Sequence, residues 1–178
     1  MPGRLTVQPV TPQQWPDLER LFSARGSPHY CWCTPCRFAD AHTMDKAARK
    51  AAMEDCVRAG TPVGVLAYRG GEPVGWCSIA PREAYAKLER SRAMPQVEEG
   101  AWAVLCFFVR RAERGKDLPP RLLKGGTAYA KANGARLVEG YPWDTLGITS
   151  RHRGHSSVFA AAGFRQEGRR WVRRFRVR

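Results

Sequence analysis

Three thiols and an imidazole crowd the segment His29-Tyr30-Cys31-Trp32-Cys33-Thr34-Pro35-Cys36. That donor set would close a tetrahedron around zinc. The Cys-x-Cys-x-x-Cys spacing is not the paired Cys-x-x-Cys of a zinc ribbon, however, and we read the segment as a buried, metal-free loop. Cys77 and Cys106 lie inside apolar stretches, where a thiol packs rather than reacts. A second chemical signal is the run Arg165, Arg169, Arg170, Arg173, Arg174, Arg176 and Arg178. Guanidinium groups at that density form a phosphate-contact surface, with Arg170, Arg174 and Arg176 as the expected nucleic-acid contacts. A third is Trp143-Asp144, directly behind the apolar stretch 137–141, where an aromatic wall and a carboxylate would meet a substrate.

The whole composition agrees with the second signal. Thirty Lys and Arg against sixteen Asp and Glu give a formal charge of +14, a field that attracts polyanions. With 43% hydrophobic and 10% aromatic residues the chain is that of a folded globule. Its length suits one domain, residues 1–178. No apolar run approaches the roughly 18 residues of a membrane helix, so no membrane partner is expected. Met1-Pro2-Gly3-Arg4 lacks the apolar core of a secretory signal. The six cysteines are then expected as reduced thiols in the cytoplasm.

The elements that must position these groups follow from periodicity and punctuation. Residues 5–10 alternate as a short strand, and Thr11-Pro12 reads as an N-cap with proline just inside a helix. Trp15, Leu18, Leu21 and Phe22 give that helix its apolar face. A second helix is expected over 45–58. Residues 63–68 and 74–80 flank Gly70-Gly71 as a hairpin. The nearly continuous apolar run 101–109 suits a central strand buried on both faces. A helix over 122–132, a strand over 137–141, a short helix over 155–162 and a last strand over 170–177 complete the order β-α-α-β-β-β-α-β-α-β. This is an α+β class, a mixed central sheet flanked by helices.

That order and two local stretches resemble the GNAT superfamily of N-acetyltransferases. Leu105-Cys106-Phe107-Phe108-Val109-Arg110-Arg111-Ala112-Glu113-Arg114-Gly115-Lys116-Asp117-Leu118-Pro119 is similar to the family's central strand and phosphate loop. Gly154-His155-Ser156-Ser157-Val158-Phe159-Ala160-Ala161-Ala162-Gly163-Phe164 is similar to its late helix and closing Gly-Phe. The family's loop reads Arg/Gln-x-x-Gly-x-Gly/Ala, and its backbone N–H groups cradle the pyrophosphate of coenzyme A. Here Arg114 matches, but Asp117 stands at the first glycine and Pro119 at the second small residue. Asp117 brings a like charge toward the phosphates, and Pro119 and Pro120 lack donors.

The resemblance implies direct attack of an amine on an activated acyl group held between two splayed parallel strands. Backbone donors at Phe107, Phe108 and Val109 are then the expected oxyanion stabilisers. Arg110, Arg111, Arg114, Gly115, Lys116 and Asp117 would border the donor. Glu139, Asp144 and Glu99 are candidate bases for the amine. Phe159 replaces a tyrosine that often serves as acid, which leaves His155, Ser156, Ser157 or His152 to donate a proton. Trp32, Cys33, Trp76 and Trp143 are expected to shape the pocket of a small-molecule amine. The altered loop and the basic surface together favour aminoacyl-tRNA over acetyl-CoA as a transient acyl donor, with no permanently bound cofactor. The alternatives are a conventional acetyl-CoA-dependent N-acetyltransferase of a small amine or antibiotic, and an inactive RNA-binding module.

Overall fold

A computed structural model describes residues 3–176 except 93, 95–97 and 149. Its elements run in chain order as β1 (Leu5–Pro9), α1 (Trp15–Ser23), α2 (Thr34–Arg37), α3 (Lys46–Arg58), β2 (Gly64–Arg69), β3 (Glu72–Pro81), α4 (Ala86–Glu89), β4 (Ala101–Val109), α5 (Leu118–Ala132), β5 (Leu137–Gly140), α6 (Trp143–Leu146), α7 (Ser156–Ala161), β6 (Arg165–Glu167) and β7 (Arg170–Arg174). The seven strands form one sheet in the order β1-β2-β3-β4-β5-β7-β6. Only β4 and β5 pair in parallel, and every other neighbour is antiparallel. This is the expected mixed sheet of an α+β fold. No helix of the described residues is long and apolar enough to cross a membrane.

Two apolar layers cover the sheet. On one face α5 packs through Leu118, Leu122, Leu123 and Ala130 onto Val65, Ile79 and Val104. Gly125 and Gly126 let this helix approach closely: a Cβ on Gly125 would lie 2.5 Å from Val7 Cγ1. On the other face α1 and α3 bury Leu18, Leu21, Phe22, Met53 and Val57 against Leu66 and Trp76. Both helices begin at side-chain caps. Asp45 accepts from Ala48 N–H at 2.8 Å, and Thr11 caps a 3-10 turn, Pro12–Gln14, that leads into α1.

The local departures from expectation share a cause. α5 begins at Leu118, a full turn before the expected 122, because Pro119 and Pro120 occupy its first turn. There proline's missing N–H breaks no intrahelical bond. Pro35 likewise opens α2 inside the segment read as loop. The strand expected over 170–177 ends at Arg174, and Val177 lies outside the described residues. Arg165–Glu167 adds an edge strand.

Candidate active site

The parallel pair is short. β5 follows β4 from Ala101↔Leu137 only to Val104↔Gly140. Beyond that point β4 runs on beside β3 alone, with a bulge after Val104. Arg110 N–H donates to Val74 O at 3.0 Å. Antiparallel alternation then turns the amides of Phe108 and Cys106 toward β3, and those of Phe107 and Val109 toward the opening. Arg114 Nε reaches Val109 O from that open side, at 3.3 Å.

Phe159 closes the floor of the opening. A Cβ on Gly140 would sit 2.1 Å from its ring, so the glycine is required at the last paired position of β5. The Phe159 ring is fully buried and meets Phe107 edge-on at 6.1 Å. It fills the core here.

Over the opening lies a cavity of about 330 Å³, lined by Pro28, Tyr30, Cys31, Cys33, Pro35, Cys36, Lys87, Cys106, Phe107, Phe108 and His152. Thus Cys33, Phe107 and Phe108 meet as expected, but most of the wall was missed. The thiol of Cys33, hydrogen-bonded to Cys106 and buried, stays well above the ordinary thiol range. It also accepts from Trp76 Nε1 at 3.2 Å. Among the described residues no three His, Cys, Asp or Glu side chains converge to hold a metal. Trp32 and Trp76 are packed with Phe22 in the core and do not line the cavity.

None of the lining residues is acidic. Glu139 is 1% exposed and locked by Arg82, by Tyr141 OH (2.9 Å) and by Arg170 (2.8 Å). Asp144, His155 and Ser156 do come together, at the start of α7. Asp144 accepts from Ser156 N–H (2.8 Å) and Oγ–H (2.5 Å). Burial opposes its ionisation, but these two bonds hold its carboxyl below the usual range. His155 Nδ1 accepts from Ser157 N–H at 3.2 Å, which leaves Nε2 carrying the proton toward Asp144 at 3.4 Å. Trp143 stacks beside His155, with Arg151 over its ring. This cluster caps a helix and lies outside the cavity wall.

His152 is the titratable group on the wall. Partial burial, with help from Arg153 and Lys87, pushes its pKa below the ordinary histidine range. The signal that would have found it is its place in Arg151-His152-Arg153, a cationic turn returning to β4.

The phosphate-loop segment stands past the end of β4. Glu113 orders it by pairing with Arg69 (2.9 Å) and Lys116 (3.4 Å). Gly115 and Asp117 are both left-handed, at φ 76° and 49°. Asp117 therefore stands where glycine is favoured, with an exposed carboxylate at the helix start. Leu118 and Arg121 keep free first-turn N–H groups, whereas Pro119 and Pro120 have none. Arg110 and Arg111 flank the segment.

The expected nucleic-acid face is largely neutralised. Arg170 pairs with Glu98, Glu139 and Glu167, and Arg174 with Glu98 and Glu167. Arg176 lies exposed beyond β7.

No curated protein sequence matches the chain. Solved structures do. A GNAT family acetyltransferase from Brucella melitensis in complex with acetyl-CoA aligns with TM-score 0.51 and 13% identity, covering 98% of this chain and 90% of that one. Aminoglycoside acetyltransferase AAC(6')-Ib in complex with coenzyme A gives 0.59 and 12%, over 96% and 95%. The same enzyme with coenzyme A and kanamycin gives 0.56 and 11%, over 96% and 95%. Identities this low show the fold. The model of the acetyltransferase (GNAT) family matches residues 18–141, spanning β2 to β5 and the segment that opens α5, and the chain belongs to that family.

Proposed function

We propose that this acyltransferase moves an acyl group from acyl-CoA to the amine of a small molecule seated in the cavity beside Cys106, Phe107 and Phe108. The observation that carries the reading is the unpaired edge of β4, whose Phe107 and Val109 amides face the opening between β4 and β5. A thioester lying there receives a donated hydrogen bond on its carbonyl oxygen as negative charge grows on that oxygen. The amine attacks the acyl carbon, the C–S bond breaks, and coenzyme A leaves as a thiolate. A thiolate is stable enough to depart without the phenol that Phe159 lacks.

His152, neutral near pH 7 because burial and two cations depress its pKa, takes the proton of the attacking ammonium. Arg110, Arg111, Arg114 and Lys116 border the pantetheine-phosphate path, and Gly115, Lys116 and Leu118 supply the remaining backbone donors. Acyl-CoA is favoured over aminoacyl-tRNA because Arg170 and Arg174 already hold carboxylates. Structural relatives carrying acetyl-CoA or coenzyme A give the same preference.

Calorimetric titration with acetyl-CoA, and in parallel with bulk tRNA, tests this. Saturable micromolar acetyl-CoA binding is expected. Salt-sensitive tRNA binding with no acetyl-CoA binding overturns it.

A further inference from the structure

Arg153 is 3% exposed, in a 3-10 turn (Arg151–Arg153) between cavity-lining His152 and Gly154. Gly154 lies against the ring of Phe107, where an added Cβ would come within 2.9 Å. Among the described residues its guanidinium has one polar contact, Nη1 to the sulfur of Met94 at 3.8 Å. No carboxylate pairs with it. Its electrostatic neighbours are Cys36 and Cys106, both on the cavity wall, and Tyr141. Lys87 stands on the same wall, exposed at the mouth. An uncompensated buried guanidinium is a costly thing to keep, and its planar donors match a carboxylate in a bidentate fork.

We infer that the amine acceptor also carries a carboxylate, which Arg153 binds with help from Lys87, while Tyr30, Phe107 and Phe108 take its apolar body. The assignment names the substrate of the site proposed above and rests on that reading. It runs against a polycationic acceptor, since no acidic side chain lines the cavity and two cations border it. The same two cations favour loss of a proton from the acceptor ammonium, which must be neutral to attack.

The test uses probes matched in their apolar part. 3-Phenylpropanoate and 3-phenylpropanamide are titrated calorimetrically without coenzyme A, and phenylalanine, phenylalaninamide and kanamycin are compared as acceptors with acetyl-CoA. Carboxylates are expected to bind roughly 10- to 100-fold more tightly than amides. Arg153→Met should abolish that preference by raising KM for phenylalanine with kcat little changed, and Lys87→Gln should reduce it by a smaller factor. Circular dichroism and acetyl-CoA affinity report whether Arg153→Met is folded, and Lys87→Gln, at the exposed mouth, carries the test if it is not. Equal binding of acid and amide, preference for kanamycin, or retained preference in folded Arg153→Met overturns the inference. Failure of acetyl-CoA to bind, with carboxylate preference intact, sinks the proposed reaction and leaves the anion site standing.

Discussion

Arg82 and Arg153 are both 3% exposed and both touch Met94, yet they are provided for in opposite ways. Arg82 binds the Glu139 carboxylate, Tyr141 OH at 3.2 Å and Met94 O at 2.9 Å. Arg153 meets only a thioether among the described residues. The first is a closed network that fastens the loop before β4 to the central sheet. The second leaves strong donors idle beside a cavity. A buried charge with its full complement is doing structural work; one without it has donors left for a ligand.

The sharpest way to break this contrast is unfolding. Glu139→Ala strands Arg82 in the interior and should lower stability by about 3–5 kcal/mol, read from the denaturant midpoint. Arg153→Met should be neutral or stabilising in the same assay. Equal losses in the two variants would erase the distinction.

Catalysis sharpens it next. His152→Gln should cost roughly 100-fold in kcat/KM. With the wild type, the rate should fall only as pH drops through a pKa below the ordinary histidine value, because the base must be neutral. A rate still rising well above neutrality, or an unimpaired His152→Gln, would remove His152 from the mechanism.

A smaller effect is expected at the phosphate loop. Asp117→Gly relieves a left-handed aspartate and removes a like charge, so acetyl-CoA affinity should rise about tenfold. Unchanged affinity would mean that the phosphates pass elsewhere. The smallest concerns acid. Arg174 and Arg170 hold Glu98 at about 2, below the ordinary carboxylate range. Its contribution to stability is present above that range and lost as pH falls toward 2. Glu98→Gln should flatten that part of the stability–pH curve slightly, the pair being half-exposed.

What the sequence disclosed was whatever is encoded locally. The hairpin around Gly70-Gly71, the caps at Thr11 and Asp45, and the apolar run of β4 each carry their own signal in neighbouring residues. The phosphate-loop anomaly was legible too, because Asp117, Pro119 and Pro120 sit beside the arginines that mark it. Proline nevertheless misled at α5 and α2, where a first-turn position was read as a helix stop. The carboxylates misled for another reason. Glu139 meets Arg82 and Arg170 across 57 and 31 positions, so nothing local tells a base from a counter-ion. The cavity wall was illegible on the same grounds: Cys33, Lys87, Cys106 and His152 are distant in sequence, and only the end of β4–β5 pairing brings them together.

The excursion between β5 and α7 leaves and re-enters the fold at one point, because Trp143 N–H donates to Gly154 O at 3.1 Å. His152 and Arg153 therefore ride on a cassette whose two ends are tied together outside the sheet. Doubling the length of such a loop costs only about 0.6 kcal/mol in closure entropy. Acceptor choice can be rewritten by exchanging this one stretch, while the strand edge that receives the acyl group stays as it is.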